Sequence, residues 1–393
     1  MKENYTRTRR CCYFGAMIQA LGINLAPLFF ATLREEFSIS FEKIGRLVLI
    51  TFLVQLCVDF LAVYFVDKWG YRRSMVAAHL FASAGLFLFG ILPQTLPDAY
   101  VGMVIAVFVY SVGCGLLEVL ISPTVDAIPA DNKATSMAMV HAYYPLGQVL
   151  TILLTTVAVS IIGADCWWLI FLLWSLVPLC NLLYGLRAPF PPVLPENEKT
   201  PMRTLVTNPR FWLMLLMMVC AGAAEMAMAQ WASLFAEEGL GVTKLVGDLL
   251  GPCLFAVCMG VGRFWYGNCG NNIRLRPLLT GCSAAAVVCY LLAVFVTVPL
   301  LALLSCALCG LAVSLMWPGT LSAASGDFPR GGTALFALLA LGGDLGCSLG
   351  PWVAGAVADV SRHGLKAGLV AAAAFPLLLS LLLRICKKKT AKE

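Results

Sequence analysis

Twelve apolar stretches, each about the 20 residues needed to cross a hydrocarbon core, constrain this chain more than any other feature. They run approximately over 11–33, 47–66, 74–92, 100–124, 136–162, 167–186, 211–235, 249–267, 278–298, 300–323, 332–357 and 367–385. Only Pro299 divides the ninth from the tenth, but one helix of that combined length is too long to cross once. Charged residues make up 12% of the chain, about half the share of a soluble protein, and they cluster between the runs. Glycine (34) and proline (20) recur inside the runs, as transmembrane bundles tolerate and soluble cores do not. The ten polar, basic residues at the start precede an apolar run without a small-residue cleavage signature, so a retained first span is expected.

The cations orient these runs. With a cytoplasmic N-terminus, only Arg34, Lys43, Arg46, Lys244, Arg362 and Lys366 fall outside, and the other 21 of the 27 Lys and Arg face the cytoplasm. An error of one span would scramble that asymmetry. The net charge of +6 is therefore a topology signal, and no nucleic-acid partner is expected. The expected fold class is an all-α membrane protein: twelve transmembrane helices in two six-helix bundles, both termini cytoplasmic, multi-pass in the plasma or inner membrane.

The longest polar stretch, 187–210, holds Pro189, Pro191, Pro192, Pro195 and Pro201 and reads as a cytoplasmic linker. It separates an N-terminal bundle, 1–186, from a C-terminal bundle, 211–393. The halves echo each other: Glu35, Glu36, Gly45 and Arg72 recur at one constant offset as Glu237, Glu238, Gly247 and Arg274. Pro123 and Gly147 recur as Pro318 and Gly342. Parallel repeats of this kind place a substrate site at the midplane between them.

Four acids lie inside the runs: Asp59, Glu118, Glu225 and Asp344. Each costs roughly 2.5–3.5 kcal/mol at a helix centre. Arg263 is assigned to the cytoplasmic end of its helix, so no cation is expected mid-span to neutralise them. They must then face a wet cavity, take up protons or bind a cation. Gln19, Asn24, His141, Tyr143, Tyr144, Gln148, Gln230, Trp231 and Trp317 are uncharged candidates for lining a solute pocket. Of the sixteen cysteines most sit in apolar runs as packing residues, Cys306 and Cys309 included. With three histidines and no ligand-spaced cluster, neither a metal nor another cofactor is expected. The chain carries no Walker loop, zinc signature or nucleophile elbow, so an enzyme is not expected.

Asp67-Lys68-Trp69-Gly70-Tyr71-Arg72-Arg73, between the second and third runs, resembles the Asp-Arg-x-Gly-Arg-Arg signature loop of the major facilitator superfamily. The resemblance implies a cytoplasmic latch made by Asp67, Lys68, Gly70, Arg72 and Arg73. Arg263 stands in the second-half copy, Gly262-Arg263-Phe264-Trp265-Tyr266-Gly267. Val63 occupies the motif's leading Gly position, and Asn271 stands where an acid is usual in the copy.

A narrower tract, Gly113-Cys114-Gly115-Leu116-Leu117-Glu118 through Ser122-Pro123, resembles that of fucose-permease-like sugar/proton symporters, as does Trp317-Pro318-Gly319-Thr320. It implies proton coupling or sugar hydrogen bonding at Glu118. Ser122 replaces the group's Asn, and 11–33 holds no acid where those permeases have an Asp. Gly346 through Gly350-Pro351, with Gly355, resembles an exporter motif but sits in the eleventh run, where close packing through small residues explains it.

The leading expectation is ion-coupled symport, by proton or sodium, of a small sugar-like solute through a monomer in the lipid bilayer. Proton-driven export of a cationic or amphipathic compound is the alternative, and a non-transporting receptor the third reading.

Overall fold

The computed structural model describes residues 5–39, 41–193, 200–236, 240–242 and 249–386, and all regular structure among them is helical. Glu237, Glu238 and Gly247 of the internal repeat, and 194–199 of the linker, lie outside the described residues. The chain runs through α1 (Thr6–Asn24), α2 (Phe30–Phe37), α3 (Phe41–Thr95), α4 (Ala99–Ala127), α5 (Lys133–Ile162) and α6 (Trp167–Gly185). After the short α7 (Met202–Thr207) come α8 (Pro209–Leu234), α9 (Leu254–Cys269), α10 (Leu275–Phe295), α11 (Pro299–Val313) and α12 (Met316–Asp327). The last three are α13 (Gly332–Val360), α14 (Leu365–Ala372) and α15 (Ala374–Cys386).

Ten helical segments among the described residues are long and apolar enough to cross a membrane. The second and eighth expected spans are shorter here, as the apolar stretch Ile50–Ala62 and the 16-residue α9. Pro299 does divide the long apolar tract: α10 ends at Phe295, and Pro299 opens α11, where its missing N–H costs nothing. The continuous helical run of α3 is interrupted inside the signature loop, at Gly70, with φ 80° and ψ 157°. That combination is open almost only to glycine, and costs another residue about 1–3 kcal/mol. Gly70→Ala is therefore expected to lower the melting temperature in a detergent thermal melt, although nothing lies within 4 Å of the added methyl.

The chain forms two compact units: 1–129 with 143–199 and 332–337, and 130–142 with 200–331 and 338–393. In the first, small residues let helices close on each other. The α-carbon of Gly85 lies against the backbone of Tyr110, and that of Gly113 against Ala78 and Ala82, which seats the second arm of α3 on α4. Phe89 stacks on Phe171 with ring centroids 4.3 Å apart, and Trp167 meets both edge-on. The Trp167 indole donates to Glu36 Oε2 at 2.6 Å, giving that acid a partner. Leu153, Leu154, Val157 and Ile161 leave one stripe of α5 exposed and apolar, as a lipid-facing helix requires.

In the second unit the same device joins α8 to α13. Gly346 approaches the Val219 carbonyl, Gly350 that of Ala223, and Gly222 that of Gly343. The exporter-like glycines of the eleventh run are thus contact points between helices. Gly310 of α11 closes in the same way on Phe255 of α9.

Candidate functional site

Two prolines, Pro145 and Pro318, set up a polar cluster around Arg263. A proline has no N–H for the carbonyl four residues before it, so Pro145 in α5 leaves the His141 oxygen without its helical donor. Pro318 does the same to Ser314, and the helical path breaks at Ser314–Leu315, between α11 and α12. In an apolar interior each such oxygen must find a donor.

Arg263 supplies both. From α9 its Nε donates to the Ser314 carbonyl at 2.8 Å and its Nη1 to the His141 carbonyl at 3.1 Å. Its Nη2 makes a charged hydrogen bond of 2.9 Å to Glu225 Oε2 on α8. The guanidinium side chain is 3% exposed and the carboxylate side chain 14%. One fixed fork therefore ties α9 to three places, α5, α8 and the α11–α12 break, which a lysine's single nitrogen would not reproduce.

This corrects one expectation: a cation, Arg263 inside α9, does pair with one of the acids in the apolar runs, Glu225. The physical reason is that a buried guanidinium needs a counter-charge and acceptors, and Glu225 with two proline-freed carbonyls provides both.

Around this cluster the other expected residues divide. Asp344 is buried on α13, one residue beyond Gly343, whose α-carbon meets the Trp317 ring. Trp231 donates from Nε1 to the Pro351 carbonyl at 3.0 Å, which fixes α8 against α13. Tyr290 of α10 gives its hydroxyl to the Ala224 carbonyl, at the residue before Glu225. Gln230 is exposed. Asn271 accepts from Thr135 Oγ1 at 3.3 Å, an uncharged bond where the signature copy has an acid.

The first unit holds the remaining candidates. Asp59 and Gln55, one helical turn apart on α3, are 0% and 1% exposed, and Gly115 of α4 packs against Gln55 and Val58. Glu118 is half-buried and Ser122, one turn on, is buried. On α1, Gln19 is half-buried, and Asn24 spends its amide on the Ala20 carbonyl of its own helix at 2.8 Å. Gln148 and Tyr144 of α5 are half-buried, while Tyr143 stacks on Tyr13 at 4.4 Å with ring planes 9° apart. In the signature loop Asp67 and Gly70 are half-buried, Lys68 and Arg73 exposed, and Arg72 donates to the Leu186 carbonyl.

One cluster was missed. His79 of α3 lies 2.7 Å from the Met75 carbonyl through Nδ1 and 2.7 Å from Asn181 Nδ2 through Nε2. Asn181 of α6 also donates to the Cys11 carbonyl at 3.1 Å, so three helices share one polar knot. A lone His and a lone Asn in two apolar runs were the available signal.

The sequence model of the Major Facilitator Superfamily matches residues 12–351. The chain belongs to the major facilitator superfamily. No curated protein sequence matches it. Solved structures of the superfamily share its fold at low identity. The E. coli fucose:proton symporter FucP aligns with a TM-score of 0.83 at 14% identity, covering 98% of this chain and 99% of that one. The proton:xylose symporter XylE, bound to 6-bromo-6-deoxy-D-glucose, gives 0.82 at 14%, over 98% and 96%. The human organic anion transporter MFSD10 gives 0.75 at 15%, over 97% and 100%. As a major facilitator, the chain is a multi-pass membrane transporter of helical architecture.

Proposed function

We propose that this major facilitator is a secondary active symporter that moves a small polar solute, a sugar or sugar-like compound, together with a proton. It would work by alternating access between two six-helix bundles, with twelve spans and both termini in the cytoplasm of a cell-membrane monomer. The observation that carries the reading is the ionisable set held inside apolar helices: Glu225 on Arg263, with Asp59, Glu118 and Asp344. Such groups cost insertion energy and are retained where a proton or solute uses them. Two of the structural relatives are proton symporters of sugars, which favours that solute class. Arg263 neutralises Glu225 and so leaves fewer acids for a cationic export substrate.

Purified protein in liposomes tests this. Fucose and xylose should accumulate under an inward proton gradient, and a protonophore should abolish the accumulation. Glu118→Gln, Glu225→Gln and Asp344→Asn are each expected to reduce uphill uptake at least tenfold where that carboxyl carries the proton, while solute exchange continues. Full gradient-driven uptake in all three variants would remove the carboxylates from the mechanism. Efflux of organic cations in place of uptake would reverse the direction assigned.

A further inference from the structure

We infer that Arg263 is a positioning residue that ties the charge state of Glu225 to the two proline-freed carbonyls, that of His141 within α5 and that of Ser314 at the break between α11 and α12. The inference rests on the proton-coupled reading above and extends it from which group takes the proton to what that proton moves.

The argument starts from the number of bonds on one guanidinium. Arg263 reaches Ser314 O through Nε, His141 O through Nη1 and Glu225 through Nη2. The guanidinium is planar and rigid, so these donors cannot be adjusted independently. Moving the Nη2 edge tilts the whole fork and stretches the bonds to both carbonyls. Those two oxygens lack their helical donors, because Pro145 and Pro318 follow them by four residues. Elsewhere in a helix, a side-chain donor that left would cost one bond. Here its departure leaves a buried carbonyl with no helical donor to fall back on, and at Ser314 the helix is already broken.

Glu225 controls the third arm. Ionised, its carboxylate makes the short charge-assisted bond and neutralises the guanidinium. Protonated, it loses that attraction, and a buried cation without its counter-charge must shift toward other acceptors or water. The titratable residues packed on this point are His141 on α5, Tyr290 on α10 and Cys347 on α13, whose sulfur lies against Gly222 of α8. Of these His141 presents its backbone oxygen to Arg263, and Tyr290 binds the residue before Glu225. Gly262, the neighbour of Arg263, packs so tightly on Ser314 that an added methyl would overlap its side chain. The fork's backbone is therefore pinned at the break it serves, and a change at Glu225 has to be absorbed by the side chain and the two carbonyls.

Hydrogen–deuterium exchange on the full-length protein in lipid nanodiscs tests this, with wild type, Glu225→Gln, Arg263→Lys and Arg263→Lys combined with Pro318→Ala. Arg263→Lys keeps the charge but not the fork. It should raise exchange severalfold in peptides covering 141–147 and 314–320. Adding Pro318→Ala gives the Ser314 oxygen a backbone donor, so it should restore protection at 314–320 and leave 141–147 fast. Glu225→Gln, which alters neither arginine nor proline, should raise exchange in both segments and remove the pH dependence expected of wild type there beyond that of intrinsic amide exchange. Unchanged exchange in both segments in Glu225→Gln overturns the tie, as does a Pro318→Ala rescue that affects both segments equally. An exchange pattern as described, without solute uptake by wild type, would leave this inference standing and sink the symport reading instead.

Discussion

Replacing Arg263 by glutamine is expected to cost about 3–5 kcal/mol, because it strands Glu225 as a buried carboxylate without its counter-charge. A thermal melt of the purified protein, or its yield of monodisperse material, reads this loss. The companion variant separates charge from hydrogen bonding. Removing both charges together, Arg263→Gln with Glu225→Gln, deletes the uncompensated ion and should recover part of the lost stability. Recovery should remain incomplete, because the Ser314 and His141 oxygens each lose a donor, at about 1–3 kcal/mol for an unsatisfied buried acceptor. A double variant no more stable than Arg263→Gln alone would mean that the ion pair is not what holds the cluster. Equal stability in wild type and Arg263→Gln would remove the cluster from the energetics altogether.

The second large effect lies in the first unit, where helices meet through glycine. A methyl at Gly85 would fall 2.6 Å from the Tyr110 α-carbon, and no rotamer change relieves a clash with backbone. Gly85→Leu should therefore force α3 and α4 apart, with a loss of at least the 1–3 kcal/mol typical of overpacking. Gly281 of α10 serves as the internal control. Nothing lies within 4 Å of an added methyl there, and it sits mid-helix, so Gly281→Ala should gain about 0.5–1 kcal/mol from helix propensity. The pair can be compared in one melting experiment in a single detergent. Similar melting temperatures for the two variants would show that the glycine crossings are not tight.

The helical, membrane-crossing character of the chain was open to reading because lipid permits so few solutions. Apolar length and charge placement together leave little but helices, and Pro299 and Gly70 mark two of the divisions plainly. What periodicity and spacing did not yield was pairing across distant helices. Glu225 and Arg263 are separated by 38 positions, and the loop-motif resemblance of the tract around Arg263 gives no hint of that partner. The sequence does contain the missing clue in another form. Each proline in a span names an oxygen four residues earlier that needs a donor, and an arginine in a span is a surplus of donors. Counting the two together would have suggested the cluster, though not which oxygens it serves. The His79–Asn181 knot was harder still, since a single polar residue per helix carries no directional information.

The proline-freed oxygen of His141 waits for a donor that the ribosome makes 122 residues later. A growing chain thus makes α5 before that donor exists. Until α9 is made with Arg263, the oxygen is left to water or another polar group. Synthesis in two separate pieces leaves the same debt, and an N-terminal fragment expressed alone would keep it. The packing of this cluster would therefore be completed late in synthesis, once α9 has been made.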